Sequence, residues 1–129
     1  MKLLAALMLL LFWSVPLFAS QEGRENTAFL AALTLDWAQT RTIATKTGWV
    51  NSDMYGSYYG YLHNESNPIL GSHPSIGSVN AYFIASAATY LLVQEVLPDR
   101  WASVYRKSAI VFELSFVGSN LTEGIGFTF

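Results

Sequence analysis

Residues 79–93 read Val-Asn-Ala-Tyr-Phe-Ile-Ala-Ser-Ala-Ala-Thr-Tyr-Leu-Leu-Val, and this uncharged run decides the fold more than any other part of the chain. Ser75 or Ser78 can cap a helix at its start, and Pro98 follows its end. The pattern therefore predicts a helix over residues 75–97. Once the N-terminal segment is set aside, it is the best candidate for a membrane-spanning helix.

The sequence on either side of this run predicts two further helices. Residues 27–46 begin with an alanine- and leucine-rich stretch and are followed by Gly48, and residues 100–119 form a third helical segment. Between the first two helices, residues 47–74 are interpreted as a long loop rich in glycine and tyrosine. Residues 124–129 alternate apolar and small side chains, which predicts a short strand or an extended tail. The predicted class is all-α, a small bundle of three helices.

The N-terminal residues 1–19 have the three-part pattern of a signal peptide. Lys2 precedes an apolar run, and Pro16 and the small Ala19 follow it. We expect cleavage after Ala19, which leaves residues 20–129 as a single helical domain. The alternative is a retained N-terminal apolar helix, although its apolar stretch falls short of the ~20 residues that span a bilayer.

Composition narrows the classes of function. The 129 residues are 12% charged, and their formal net charge is −2. An average soluble domain is about 25% charged, so membrane lipid or another membrane protein is expected to cover part of the apolar surface. The chain has no cysteine, which excludes disulfides and thiolate metal sites. Without a basic stripe, nucleic acid is not an expected partner.

Polar side chains lie on the apolar faces of the predicted helices when residues are placed at 100° per position. Asp36 falls on the core face of the first helix, and a polar stripe recurs every seven residues on the third. Because an unpaired buried carboxylate is very costly, the two stripes are expected to meet in a hydrogen-bond network with the loop and the second helix. The predicted network comprises Asp36, Gln39, Thr40, Glu65, Asn67, His73, Asn80, Arg106, Glu113 and Asn120.

Three strings of sequence carry a resemblance to a known family: Asp36-Trp-Ala-Gln-Thr-Arg41, Glu65-Ser-Asn-Pro-Ile-Leu-Gly-Ser-His-Pro-Ser75 and Val79-Asn-Ala-Tyr-Phe83. They resemble small uncharacterised envelope proteins of phages and proteobacteria, in which an apolar leader precedes D-W-x-Q-T, E-x-N-P-I-L-G-x-H-P-S and an extended apolar helix. The resemblance covers residues 30–129 and implies no established activity. The family's signature polar positions correspond here to Asp36, Gln39, Thr40, Glu65, Asn67, His73 and Asn80.

The leading hypothesis is a non-catalytic accessory protein of the bacterial cell envelope. We expect it at the inner membrane, with the periplasm as the alternative, and without a cofactor; self-association stays open. The competing hypothesis is a small enzyme or metal-binding protein that uses Asp36, Glu65, His73 and Glu113. The spacing of the two histidines fits no compact zinc motif, so no metal site is predicted. An internal network should tolerate paired isosteric replacement, whereas a catalytic or metal site should not.

Overall fold

A computed structural model describes residues 20–52, 54 and 56–129. Along the chain these residues form helix α1 (Gln21–Thr45), strands β1 (Thr47–Ser52) and β2 (Gly56–Tyr61), and helices α2 (Ile76–Val96) and α3 (Asp99–Thr122). The predicted leader, its cleavage after Ala19 and the retained-helix alternative all lie outside the described residues.

The prediction of an all-α fold is wrong, because part of the presumed loop is a β-hairpin. Strands β1 and β2 pair antiparallel, from Thr47 opposite Tyr61 to Ser52 opposite Gly56. The segment contains Trp, Val and several Tyr residues, which favour strands. Gly56, at the start of β2, has a φ of 71°, which residues other than glycine rarely adopt. The fold is therefore mixed α/β: three helices and a two-stranded sheet.

The three predicted helices are confirmed, with displaced boundaries at the start of α1 and at the end of α3, which extends to Thr122. Helix α1 begins six residues earlier than the sequence predicts, because the Ser20 hydroxyl accepts a hydrogen bond from the Gly23 N–H at 3.1 Å and caps the helix there. Helix α2 is capped in the same way by Ser75, which accepts from the Ser78 N–H at 3.1 Å. Pro98 follows α2 and forms the N-cap of α3.

Helix α1 lies at the centre of the bundle and packs against both α2 and α3. The core joins Phe29 and Leu33 of α1 to Val79, Phe83 and Tyr90 of α2. The rings of Phe29 and Tyr90 stack with centroids 3.6 Å apart. Full burial of a side chain of this size contributes about 1.5–3 kcal/mol, so these few contacts hold α2 on α1 while its outer surface stays uncovered.

The C-terminal residues 124–129 form the predicted extended tail, not a strand. The tail lies along α1, where the Thr128 N–H donates to the Ala38 carbonyl at 3.0 Å. Ile125 is only 1% exposed and anchors the tail in the bundle. Gly124, with a φ of 74°, lets the chain turn at the end of α3.

Candidate functional site

Gln39 is the polar centre where α1, α3 and the tail meet. Its side chain is fully buried. The amide nitrogen donates to the carbonyl of Val117 at 3.2 Å and lies 3.4 Å from that of Ile125, and the amide oxygen accepts from Asn120 Nδ2 at 3.3 Å. One side chain therefore satisfies backbone groups of both α3 and the tail.

Asp36 lies one turn before Gln39, and we call Asp36, Glu65 and Glu113 the carboxyl cluster because the charges of the two glutamates act on Asp36. Asn120 Nδ2 also donates to Asp36 Oδ1, at 3.3 Å. Burial and, secondarily, the nearby carboxylates of Glu113 on α3 and Glu65 raise the pKa of Asp36 from its ordinary 3.8 to about 7. Burial also raises the pKa of Glu113.

Glu65 lies in the connecting loop, residues 62–75, where hydrogen bonds close a turn. Its Oε1 accepts from the Asn67 N–H at 2.9 Å, and its own N–H donates to the Ser72 carbonyl at 2.9 Å. Asn67 Oδ1 accepts from the Ile69 N–H at 2.9 Å. These bonds hold the Glu65 carboxylate in place, whereas its Oε2, like Oε2 of Glu113, is buried with no hydrogen-bond partner.

Arg106 does not join this cluster, contrary to the predicted network. Its Nε donates to Glu25 Oε2 at 2.7 Å, and both side chains are 11% exposed. Glu22 lies 3.8 Å from Arg106, and Lys107 lies 3.9 Å from Glu25. The hydrogen bond from Arg106, followed by one from Gln21, holds the pKa of Glu25 below its ordinary range.

Three other residues of the predicted network, Asn80, His73 and Thr40, have different surroundings. Asn80 joins α2 to α1, because its Oδ1 accepts from Trp37 Nε1 at 2.9 Å and from Arg41 at 3.4 Å. His73 is exposed and stacks on Tyr61 of β2, with ring centroids 4.3 Å apart. Thr40 is buried in α1. The structure thus joins Asp36, Gln39 and Asn120 by hydrogen bonds, places Glu65 and Glu113 where their charges act on Asp36, and joins Asn67 to Glu65. Arg106, Asn80 and His73 have other partners.

Two threonines that the sequence did not single out extend the network. The Thr42 hydroxyl lies one turn beyond Gln39, 3.0 Å from the Gly126 carbonyl and 2.8 Å from the Thr128 hydroxyl. The sequence offered one signal for Thr42: it lies three residues after Gln39, on the same face of the helix. The acceptors, however, are tail backbone groups that no periodicity reveals.

An open groove of about 700 Å³ lies between α2 and α3 beside the carboxyl cluster. Its walls are mainly apolar, and Glu113 lines it together with Ile69 of the connecting loop. Phe29 of α1 and Phe112 of α3 also line the groove. The carboxyl cluster therefore borders a surface on which an apolar partner could rest.

The chemical capacity of the site is that of a proton-binding hydrogen-bond network. Within residues 20–52, 54 and 56–129, no three His, Asp or Glu side chains are placed to share a metal ion. In comparisons with protein families, curated proteins and solved structures, the chain matches none.

Proposed function

We propose that this protein is a non-catalytic accessory protein of the bacterial cell envelope. In this proposal α2 lies in or against the inner membrane, and the partner is membrane lipid or another membrane protein. The carboxyl and amide network would then hold the connecting loop and the tail on the bundle rather than carry out a reaction.

The observation that carries the proposal is the surface of α2. In the described part of the chain, α2 is the one helix long and apolar enough to cross a membrane. Its most apolar 18-residue window has a mean hydropathy of 1.5, yet only 17% of that window is buried. A core helix of a soluble protein would be mostly buried. No charged residue occurs in α2 before Glu95.

Helix α3 also exposes large apolar side chains. Large exposed apolar patches on soluble monomers are rare, and they mark membrane or protein contacts. We name the exposed apolar side chains of the two helices the α2–α3 surface; they are Ile84, Leu91, Leu92, Val96, Trp101, Val104, Val111, Phe112, Leu114, Phe116 and Leu121. An apolar exterior of this kind suits a protein in contact with lipid.

A small enzyme that uses the carboxyl cluster is the second candidate. The observation in its favour is the pKa of Asp36 near 7, since catalytic acids and bases are tuned toward the working pH. The groups that would complete a site are missing from the cluster, because His73 and Arg106 both pair elsewhere. Asp36→Asn separates the candidates: an accessory protein keeps its function with this isosteric change, and an acid–base enzyme loses it.

Fractionation of cells tests the proposal. We expect the chain to stay in the membrane pellet after a carbonate wash and to need detergent for release, because the α2–α3 surface is apolar. Leu92→Glu should shift it toward the soluble fraction by several-fold, since a charge in hydrocarbon costs about 2.5–3.5 kcal/mol on insertion scales. Ala28→Glu is the matched control, because it adds the same charge to an exposed alanine of α1.

The proposal would be wrong if osmotic shock released a monodisperse monomer without detergent. It would also be wrong if Leu92→Glu stayed in the pellet to the same extent as the parent chain and the Ala28→Glu control.

A further inference from the structure

The groove between α2 and α3 is long enough to take an extended ligand. The rings of Tyr90 and Tyr105, which both line it, stack with centroids 5.6 Å apart and mark one end. Only residues 97–98 join the two helices, so α2 and α3 run antiparallel. Tyr82 lies two turns before Tyr90, and Glu113 lies two turns after Tyr105. At 1.5 Å per residue, the groove therefore extends about 12 Å along both helices, toward Tyr82 and Glu113.

Aromatic rings and small side chains shape the interior of the groove. Ala85 of α2 and Ala109 of α3 line it and leave space between the helices. Aromatic faces bury hydrocarbon well, and they also attract organic cations. The interior therefore accepts an apolar body and tolerates a positive charge beside it. The lining rings are Phe29, Tyr82, Tyr90, Tyr105 and Phe112.

Glu113 is the one charged side chain among the described residues that line the groove. Its Oε2 is buried and has no hydrogen-bond partner. The basic residues Arg106 and Lys107 of the same helix are paired with Glu25, at 2.7 and 3.9 Å. A carboxylate without a partner in mainly apolar surroundings is costly until a cation or a donor reaches it. The groove therefore lacks a positively charged group at the Glu113 end.

We propose that the groove between α2 and α3 binds a single-chain amphiphilic amine, whose hydrocarbon body lies against the aromatic rings and whose ammonium group pairs with Glu113. The ammonium group brings both a positive charge and N–H donors to the carboxylate. A neutral amphiphile fills the groove but leaves the charge of Glu113 unpaired, and an anionic amphiphile is repelled by it. The proposal goes beyond the envelope function, because the groove and its carboxylate are present whether or not α2 contacts lipid.

Octylammonium is the probe, because it joins one hydrocarbon chain to an ammonium head. Octanol and octyl sulfate carry the same chain with a neutral and an anionic head. Isothermal titration calorimetry measures the binding of each compound to the full chain in a neutral maltoside detergent at pH 8, which favours the charged carboxylate. We expect octylammonium to bind at least about tenfold more tightly than octanol, since a hydrogen bond to a charged group contributes about 1.5–3 kcal/mol. Octyl sulfate should bind most weakly.

Two variants locate the probe. Glu113→Gln keeps the size of the side chain and removes its charge, so it should weaken octylammonium binding at least about tenfold, leave octanol binding unchanged and strengthen octyl sulfate binding. Ala85→Phe places a ring in the groove from an exposed position and should weaken the binding of octylammonium and octanol alike. Glu95→Gln is the matched control, because Glu95 is an exposed carboxylate of α2 that is not among the lining residues.

The proposal is overturned if octylammonium binds no more tightly than octanol, since the groove is then a site for any apolar chain. It is overturned as well if Glu113→Gln or Ala85→Phe binds octylammonium as tightly as the parent and the Glu95→Gln control do. Circular dichroism of each variant shows whether a loss of binding comes from a loss of fold. Because the titrations are made in detergent, their outcome does not depend on whether the protein is attached to a membrane.

Discussion

Gln39→Leu is expected to destabilise the fold by about 3–6 kcal/mol, the largest effect of any single substitution considered. The change removes the donor to the Val117 and Ile125 carbonyls and the acceptor of the Asn120 amide. A buried polar group left without a partner costs about 1–3 kcal/mol. The Asn120 amide keeps Asp36 Oδ1 as an acceptor, so most of the cost comes from the two carbonyls. Thermal and denaturant unfolding followed by circular dichroism in detergent would measure the loss.

Gln94→Leu is the matched control for this experiment. Gln94 is a second buried glutamine, 6% exposed, but its side-chain oxygen is buried without a hydrogen-bond partner. Replacing an unsatisfied polar group by an apolar one of similar size should be neutral or stabilising. If the two leucine variants unfolded at the same denaturant concentration, Gln39 would not hold the junction together.

Asp36→Asn is expected to stabilise the protein at pH 8 by up to about 4 kcal/mol and to have little effect near pH 4. The pKa of Asp36 is about 7 in the folded chain and near its ordinary 3.8 in the unfolded chain. Between these values the folded state holds a proton that the unfolded state has lost, so stability falls as pH rises and is lowest above pH 7. At 1.4 kcal/mol per pKa unit, the full cost is about 4 kcal/mol.

The comparison of side chains at position 36 separates charge from shape. Asp36→Asn keeps an oxygen that can accept from Asn120, whereas Asp36→Ala and Asp36→Leu remove it. We therefore expect the Asn variant to be the most stable of the three variants at every pH. The measurement is the unfolding free energy of each variant from pH 4 to 9. A parent chain whose stability rises between pH 4 and 7 would contradict the assignment, as would an Asp36→Asn variant with the parent's pH slope.

The helices could be predicted from the sequence because their signals are local. Ser75 and Pro98 mark the two ends of α2, and the uncharged run between them needs no tertiary information. The hairpin could not be predicted in this way. Most of its described side chains are exposed on both faces, so the alternation of buried and exposed residues that identifies a strand is missing. The hairpin is evident only from the pairing of its two strands, in which Thr47 lies opposite Tyr61.

The polar site was predicted in part, for a similar reason. Helical periodicity placed Asp36 and Gln39 on one face, and both meet Asn120 of α3. Periodicity also placed Arg106 on the stripe of the third helix that carries Asn120, but it could not identify the partner of Arg106. Glu25 lies before the predicted start of the first helix, whereas α1 begins early enough to bring Glu25 to Arg106. The position of Glu65 depends on the turn in the connecting loop, and neither helical nor strand periodicity predicts such a turn.

Single-cysteine labelling in isolated membranes tests most directly whether the α2–α3 surface faces the membrane. Ala88 of α2 and Ala28 of α1 are both exposed alanines on helices, and the chain has no cysteine of its own. We expect Ala88→Cys to react with a membrane-impermeant maleimide at least about tenfold more slowly than Ala28→Cys. The two rates should become equal after denaturation, since burial in lipid alone protects Ala88→Cys. Equal rates in intact membranes would show that α2 faces water, and the proposed envelope function would have lost its support.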